Sequence, residues 1–168
     1  GKVDKTFENI KKTHYKILEE LGIDKSLLND DIQELSNLVK TTRPNKTMDN
    51  RTLDYFQSFG ERMSSKIVAE QLNKIGIKAQ AFNSWELGFL TDSEFGDAEP
   101  LEIAYTNLKN SIKRFKIIPV ITGFIGKTEN DKITTLGRGG SDYTAAIIGA
   151  AINADEIQIW TDVDGIMS

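Results

Sequence analysis

The chain has 168 residues, a length that fits one domain of ordinary size. Leu, Ile, Val and Phe supply 46 of them, enough for a packed core without disulfides or structural metals. The sequence has no cysteine and one histidine, which excludes disulfides, thiol nucleophiles and metal sites built from cysteines or several histidines. The net charge of −4 argues against a dedicated nucleic-acid binder. No apolar stretch reaches the roughly 18 residues that span a membrane, and no secretory signal is visible, so we expect a cytoplasmic protein.

Apolar residues recur at helical spacing throughout the first half of the chain. They predict helices over 7–21, 27–39 and 53–75, with Gly22 and Gly76 placed to end the first and the last. The polar stretch 41–50 predicts a loop.

The second half alternates strand and helix patterns. Short apolar runs predict strands, and stretches at helical spacing predict helices: strands over 77–82, 117–122 and 156–160, helices over 101–112 and 141–153. This alternation is typical of a parallel sheet with helices packed on it, an α/β fold. Ligands of such sheets bind at the carboxyl ends of the strands, so we expect the site in the loops 83–100, 123–140 and 161–168.

The strongest local motif is Thr134–Asp142, which reads TTLGRGGSD and leads into a predicted helix. Glycines let a backbone approach a ligand closely, and the free N–H groups of a helix N-terminus attract anions. Arg138 offers a planar fork for a carboxylate or phosphate, and Ser141 suits the N-cap. The alternative is a glycine turn before a well-capped helix, and the residues alone do not separate the two.

A second motif, Ser58–Ser65, places Gly60 inside a long predicted helix. Glycine there costs about 1 kcal/mol relative to alanine, so close packing or a ligand must offset it. Glu61 could hold an ammonium group. Taken alone, the motif favours a tight helix crossing with a solvated Glu61–Arg62 pair.

A third motif, Trp160–Gly165, follows a predicted strand and suits either a nucleotide contact or a polar turn. With one distant histidine there is no nucleophilic triad. The chemistry that these residues can still support is positioning of a substrate and electrostatic stabilisation. Phosphoryl transfer needs these two contributions and little covalent chemistry from the protein.

Five motifs together resemble those of the aspartate kinases, in that family's order and spacing. They are Phe59-Gly60-Glu61-Arg62 with the following serines, Glu86–Asp92, Gly123-Phe124-Ile125-Gly126, Thr134–Asp142 and Trp160–Gly165. The resemblance covers roughly 7–168. It implies the amino-acid kinase (carbamate kinase-like) fold, a three-layer α/β/α sandwich with a mainly parallel sheet, here truncated at both ends.

The resemblance also implies a reaction: transfer of the γ-phosphoryl group of ATP to the side-chain carboxylate of L-aspartate, the first step toward lysine, threonine and methionine. Mg²⁺ would be bound through the nucleotide, and the parent protein would be a homo-oligomer. The implied substrate residues are Glu61 for the ammonium group, Arg138 for a carboxylate, and Phe124, Gly139, Gly140 and Ser141 around the substrate; Thr161 and Asp162 belong to the ATP pocket. No protein metal ligand or covalent catalytic residue is implied.

The family's Lys-Phe-Gly-Gly-Thr-Ser loop, whose lysine holds the transferring phosphate, does not occur in this sequence. We therefore expect 1–168 to be part of a catalytic domain, with a helical segment 1–76 and an α/β core 77–168, and to be weak or inactive alone. Electrostatic stabilisation of that kind is worth several kcal/mol. The competing hypothesis is a non-catalytic module with this fold and a regulatory or assembly role.

Overall fold

The computed structural model describes residues 2–42 and 48–160. Within these ranges the helices are α1 (Lys2–Leu21), α2 (Asn29–Thr42), α3 (Asn50–Lys74), α4 (Glu102–Ile112) and α5 (Gly140–Ile152). The strands are β1 (Ala79–Phe82), β2 (Ile118–Ile121), β3 (Ile125–Lys127) and β4 (Ile133–Thr135). No helix in the described part of the chain is long and apolar enough to cross a membrane.

The first three helices form a layer with its own apolar core. Gly22 ends α1 in the left-handed region at φ 62°, a conformation that glycine adopts without strain. The Asp49 carboxylate caps α3 by accepting a 2.8 Å hydrogen bond from the Thr52 N–H. The core consists of the buried apolar side chains of these helices and their connection: Leu18, Ile23, Leu28, Ile32, Leu35, Phe59, Met63 and Ile67.

The second half builds the α/β part. β1 and β2 pair in parallel, with Ala79 opposite Ile118 and Phe82 opposite Ile121, and α4 lies in the crossover between them. A second apolar core joins α4, α5 and the loops around them: Leu87, Phe89, Ala98, Ala104, Leu108, Leu136, Ile147 and Ala151. The three helices predicted for the first half, the two for the second, and the strands 77–82 and 117–122 are thus confirmed.

An antiparallel hairpin occupies part of the predicted loop 123–140. β3 and β4 pair with Ile125 opposite Thr135 and Lys127 opposite Ile133. Each strand has three residues, too few for alternation of apolar and polar side chains to stand out in the sequence. The hairpin carries the chain back toward the start of α5.

The strand predicted over 156–160 is wrong. The segment has no regular secondary structure and its residues are exposed. An apolar pattern becomes a strand only where another strand takes up its backbone hydrogen bonds, and no described strand pairs with this one. The predicted loop 41–50 is only partly seen, because α2 extends to Thr42 and 43–47 lie outside the described residues.

Candidate functional site

A cleft of about 420 Å³ opens where the end of β2 meets α3 and α5. Glu61 lies on its α3 side, and Ser141 and Thr144 on its α5 side. The remaining walls are largely apolar: Ile121, Gly123, Ala145, Ile148, Gly149, Ile152, Ala154 and Ile157, with Glu156 at the far end. Glu61 and Glu156 are the charged groups of the described lining, so the cleft favours a cation over an anion.

Glu61 meets the N-terminus of α5 across the cleft. The Ser141 side chain lines the same cleft and lies close enough to the Glu61 carboxylate to interact with it. Burial raises the pKa of Glu61, and the nearby Ser141 hydroxyl lowers it again in part. A half-buried carboxylate with one neutral donor still gains from a cationic partner, so this position suits an ammonium group.

The N-terminus of α5 is built on glycines. Gly137 and Gly139 hold φ values of 68° and 74°, which place the turn before the helix in the left-handed region. A Cβ at Gly140 would lie 2.8 Å from Cδ2 of Phe124 and 3.0 Å from Cβ of Leu136. Only glycine therefore lets the helix begin against Phe124.

Phe124 packs against the first residue of α5 and is hydrogen-bonded to this helix. Its φ of 64° is unusual for a residue with a side chain. Its N–H donates to Thr144 Oγ1 at 3.0 Å, and its carbonyl accepts from the Leu136 N–H at 2.9 Å. Phe124 is thus fixed to α5 and to the strand that leads into the glycine turn.

Arg138 and Gly139 are exposed in the turn that precedes α5. Among the described residues, Arg138 forms neither a side-chain hydrogen bond nor an ion pair, and it is not part of the cleft lining. The structure therefore places Glu61 and Ser141 in one cleft and packs Phe124 against Gly140, the first residue of α5. It leaves Arg138 and Gly139 exposed in the preceding turn. Thr161 and Asp162 lie outside the described residues.

The expectation that Glu61 and Arg62 form a solvated ion pair is wrong. Arg62 turns toward α2, where its guanidinium contacts Glu34 and lies 3.2 Å from Oδ1 of Asp31. It also stacks 4.5 Å from the centre of the Phe59 ring. Successive helical residues point about 100° apart, so Glu61 and Arg62 face different neighbours.

The tight helix crossing expected at Gly60 is also wrong. A Cβ built on Gly60 meets no atom within 4 Å, and the residue is exposed. Close packing in the described part of the chain therefore does not account for this glycine.

The acidic partners on α2 were not anticipated from the sequence. Asp31 is 1% exposed and also pairs with Lys66. Burial opposes ionisation of Glu34, yet hydrogen bonds from Arg62 and Tyr55 leave its pKa below the ordinary value. The available signal was spacing, since Asp31 lies four residues before the buried Leu35 on α2 and so shares its face of the helix.

Comparison with known proteins identifies the fold. The amino acid kinase family model matches residues 9–168. The chain belongs to the amino acid kinase family. The crystal structure of Escherichia coli aspartokinase III in complex with aspartate and ADP superposes with a TM-score of 0.84 and 29% identity, over 96% of this chain and 37% of that one. The predicted amino-acid kinase fold is confirmed.

Curated members of the family with similar sequences are aspartokinases. Aspartokinase 1, chloroplastic, of Arabidopsis thaliana is 41% identical over 95% of this chain and 29% of its own length. An aspartokinase of Thermus thermophilus is 37% identical over 87% of the chain and 35% of its own length. The chain thus spans about a third of the length of these relatives.

Proposed function

We propose that this chain supplies the amino-acid-binding part of a kinase that transfers the γ-phosphoryl group of ATP to the side-chain carboxylate of L-aspartate, giving 4-phospho-L-aspartate. In this proposal Glu61 binds the substrate ammonium group and Arg138 binds a substrate carboxylate. Gly139, Gly140 and Ser141 form the wall between them, supported by Phe124.

The observation that carries the proposal is that Glu61 and Ser141 line one cleft at the N-terminus of α5. Within the described residues, Glu61 has no cationic partner, and the guanidinium of Arg138, exposed in the turn before α5, has no acidic one. An α-amino acid with a second carboxylate carries the complementary charges. The N–H groups of Ser141 and Asp142 have no acceptor among the described residues and are further donors for an anionic group.

The relatives support the same substrate. Their names are those of aspartokinases, and the E. coli neighbour was crystallised with aspartate and ADP. This chain is 41% identical to the Arabidopsis relative over nearly its whole length. That similarity supports a ligand shared with the relative.

ATP would supply the phosphoryl group, with Mg²⁺ bound through its phosphates. The described residues contain no cluster of three or more acidic, histidine or cysteine side chains that could hold a metal. The free amides of the α5 N-terminus suit phosphate oxygens, and we assign Thr161 and Asp162 to the ATP side on the family resemblance alone.

We further propose that the 168-residue chain alone transfers phosphate slowly. The charged groups of the described cleft lining are both acidic, so it offers no cation to the transferring group. A transition state of that kind depends on such charge stabilisation. Turnover at about 1–100 s⁻¹, the usual range of kinases, would refute this.

Binding of L-aspartate tests the assignment of Glu61. The purified chain is titrated with L-aspartate and with succinate, which has both carboxylates and no ammonium group, and amide shifts are followed by ¹⁵N–¹H NMR. We expect shifts at Glu61 and Arg138 with L-aspartate, and a loss of the preference over succinate in Glu61→Gln. Glu70→Gln, on the same helix nine residues away, is the matched control and should keep the preference. Equal binding of both ligands by the unchanged chain would contradict the proposal.

Phosphorylation assays with aspartate, glutamate and UMP as acceptors then separate the members of the family. The alternative function is a non-catalytic module of the same fold, which the acidic, cation-poor cleft lining favours. A folded chain that responds to neither L-aspartate nor Mg-ATP would support that alternative.

A further inference from the structure

Asp54 is a buried acidic residue on α3 that the proposed function does not use. It is fully buried, and both of its side-chain oxygens accept hydrogen bonds. Oδ2 accepts from the N–H of Gly96 at 2.9 Å and of Thr135 at 3.0 Å, and Oδ1 accepts from Thr135 Oγ1 at 2.9 Å. No lysine or arginine of the described chain forms an ion pair with it.

A buried carboxylate lowers the stability of the fold unless other groups compensate for its lost hydration. Without a cation, its desolvation costs several kcal/mol unless hydrogen bonds replace its water, whereas an apolar side chain has no such desolvation cost. The three bonds satisfy the carboxylate, but they do so by fixing Thr135 and the 92–99 loop to α3. This pattern indicates a residue retained for position.

The position of Asp54 relates directly to the candidate site. Asp54 and Glu61 are seven residues apart, so they lie on the same face of α3, about 10 Å apart along its axis. Their partners, Thr135 and Ser141, lie six residues apart along the chain. The TTLGRGGSD segment is therefore hydrogen-bonded to α3 through Asp54 at its buried end and lies beside Glu61 of α3 at the cleft.

The turn between Thr135 and Ser141 contains Gly137 and Gly139, both in the left-handed region that glycine adopts without strain. Gly137 packs tightly on the loop that Asp54 also holds, since a Cβ there would lie 2.5 Å from Oδ1 of Asp97. The Ala98 N–H donates to the Thr135 carbonyl at 2.9 Å from the same side.

We propose that Asp54 is a positioning residue: it anchors Thr135 to α3 and thereby holds the Arg138–Ser141 turn at the distance from Glu61 that ligand binding needs. Its relevance to L-aspartate rests on the proposed function, whereas the anchoring itself is a property of the ligand-free protein.

The test uses the whole chain without ligand first. In Asp54→Leu we expect the amide signals of Gly137, Gly139 and Gly140 to shift. We also expect the Glu61 pKa, followed through its side-chain carboxyl ¹³C shift, to rise further as Ser141 moves away from the carboxylate. Glu156, the other titratable group of the cleft lining, is followed in the same titration to separate the two carboxyls. Ile67→Val, a mild core change on the same helix, is the control for general destabilisation and should move neither readout.

Two further variants keep the test decisive if Asp54→Leu does not fold. Asp54→Asn retains an oxygen for the two backbone donors and should restore most of the wild-type signals. Thr135→Val removes only the hydroxyl donor and should produce a smaller shift of the same kind. Wild-type turn signals and an unchanged Glu61 pKa in a folded Asp54→Leu or in Thr135→Val would overturn the proposal.

Ligand titration then connects the anchor with the site. The dissociation constant for L-aspartate should rise about tenfold in Asp54→Leu and less in Asp54→Asn. If the unchanged chain does not bind L-aspartate, the proposed function fails, and the ligand-free signals alone decide whether Asp54 positions the turn.

Discussion

The substitution Arg62→Met tests the assignment of Arg62 to the α2–α3 interface. Arg62 is 13% exposed, and methionine keeps part of its apolar stem while removing the guanidinium. Asp31 loses one of its two cations. Removing one partner of a buried ion pair costs about 3–5 kcal/mol when the other charge is left uncompensated, and because Lys66 remains beside Asp31 we expect about half of this cost. The pair with the more exposed Glu34 adds about 0–1 kcal/mol, and the stacking on Phe59 about 0.5–1 kcal/mol. We expect the free energy of unfolding to fall by about 3 kcal/mol in total.

Urea unfolding followed by circular dichroism measures this loss. Arg114→Met is the matched control, because Arg114 is exposed and has no side-chain partner in the described chain; its effect should stay within about 0.5 kcal/mol. Adding Asp31→Asn to Arg62→Met should cost less than the sum of the single changes, because the two residues interact. If Arg62→Met costs no more than Arg114→Met, the interface does not hold α2 and α3 as described.

Three further outcomes follow from the same geometry. Gly60→Ala should raise the free energy of unfolding by about 0.5–1 kcal/mol, because its Cβ meets open space in a helix interior; a loss would indicate a close neighbour at this position. Gly140→Ala should lower it by about 1–3 kcal/mol through the clash with Phe124, measured in the same urea series. Burial raises the pKa of Glu61 from an ordinary 4.5. Between pH 4.5 and the raised pKa, the folded chain therefore binds more protons than the unfolded chain. The free energy of unfolding thus falls as the pH rises through this range. Glu61→Gln should remove that decline in unfolding free energy, measured between about pH 4 and 8, and an unchanged slope would contradict the burial of this carboxyl group.

The helices and the central strands could be predicted because their signals are local. Apolar spacing and glycine ends define α1, α2 and α3 in the sequence, and continuous apolar runs define β1 and β2. The hairpin of β3 and β4 was missed because three-residue strands carry too short a pattern. The strand expected over 156–160 shows the opposite error, since its pattern is local but its pairing partner is not.

The candidate site was predicted only as far as its motifs are local. Glycines before a helix and a serine at its start indicate an anion-binding turn, and the turn lies where the motif places it. The prediction of Ser141 as the N-cap was wrong, because the helix begins one residue earlier, at Gly140, and Gly139 is the N-cap. That Glu61 and Ser141 line one cleft depends on how α3 and α5 are placed at the end of β2, which no local spacing reveals. Asp31 and Asp54 were missed for the same reason: an acidic residue in a helix predicts solvent exposure, and only the tertiary partners explain its burial.

Whether Glu61 is available for a ligand depends on which residues pair with the neighbouring Arg62. An arginine directly after a glutamate is a ready source of charge compensation, and a free guanidinium beside the cleft would weaken the attraction of Glu61 for an ammonium group. Asp31 and Glu34 hold that guanidinium on the α2 side, where burial opposes its charge and Glu34 then raises its pKa above the ordinary value. The acidic groups of α2 therefore have two effects. They hold α3 against the helical layer, and they leave Glu61, on another face of α3, without a cationic partner in the part of the chain that the structure describes.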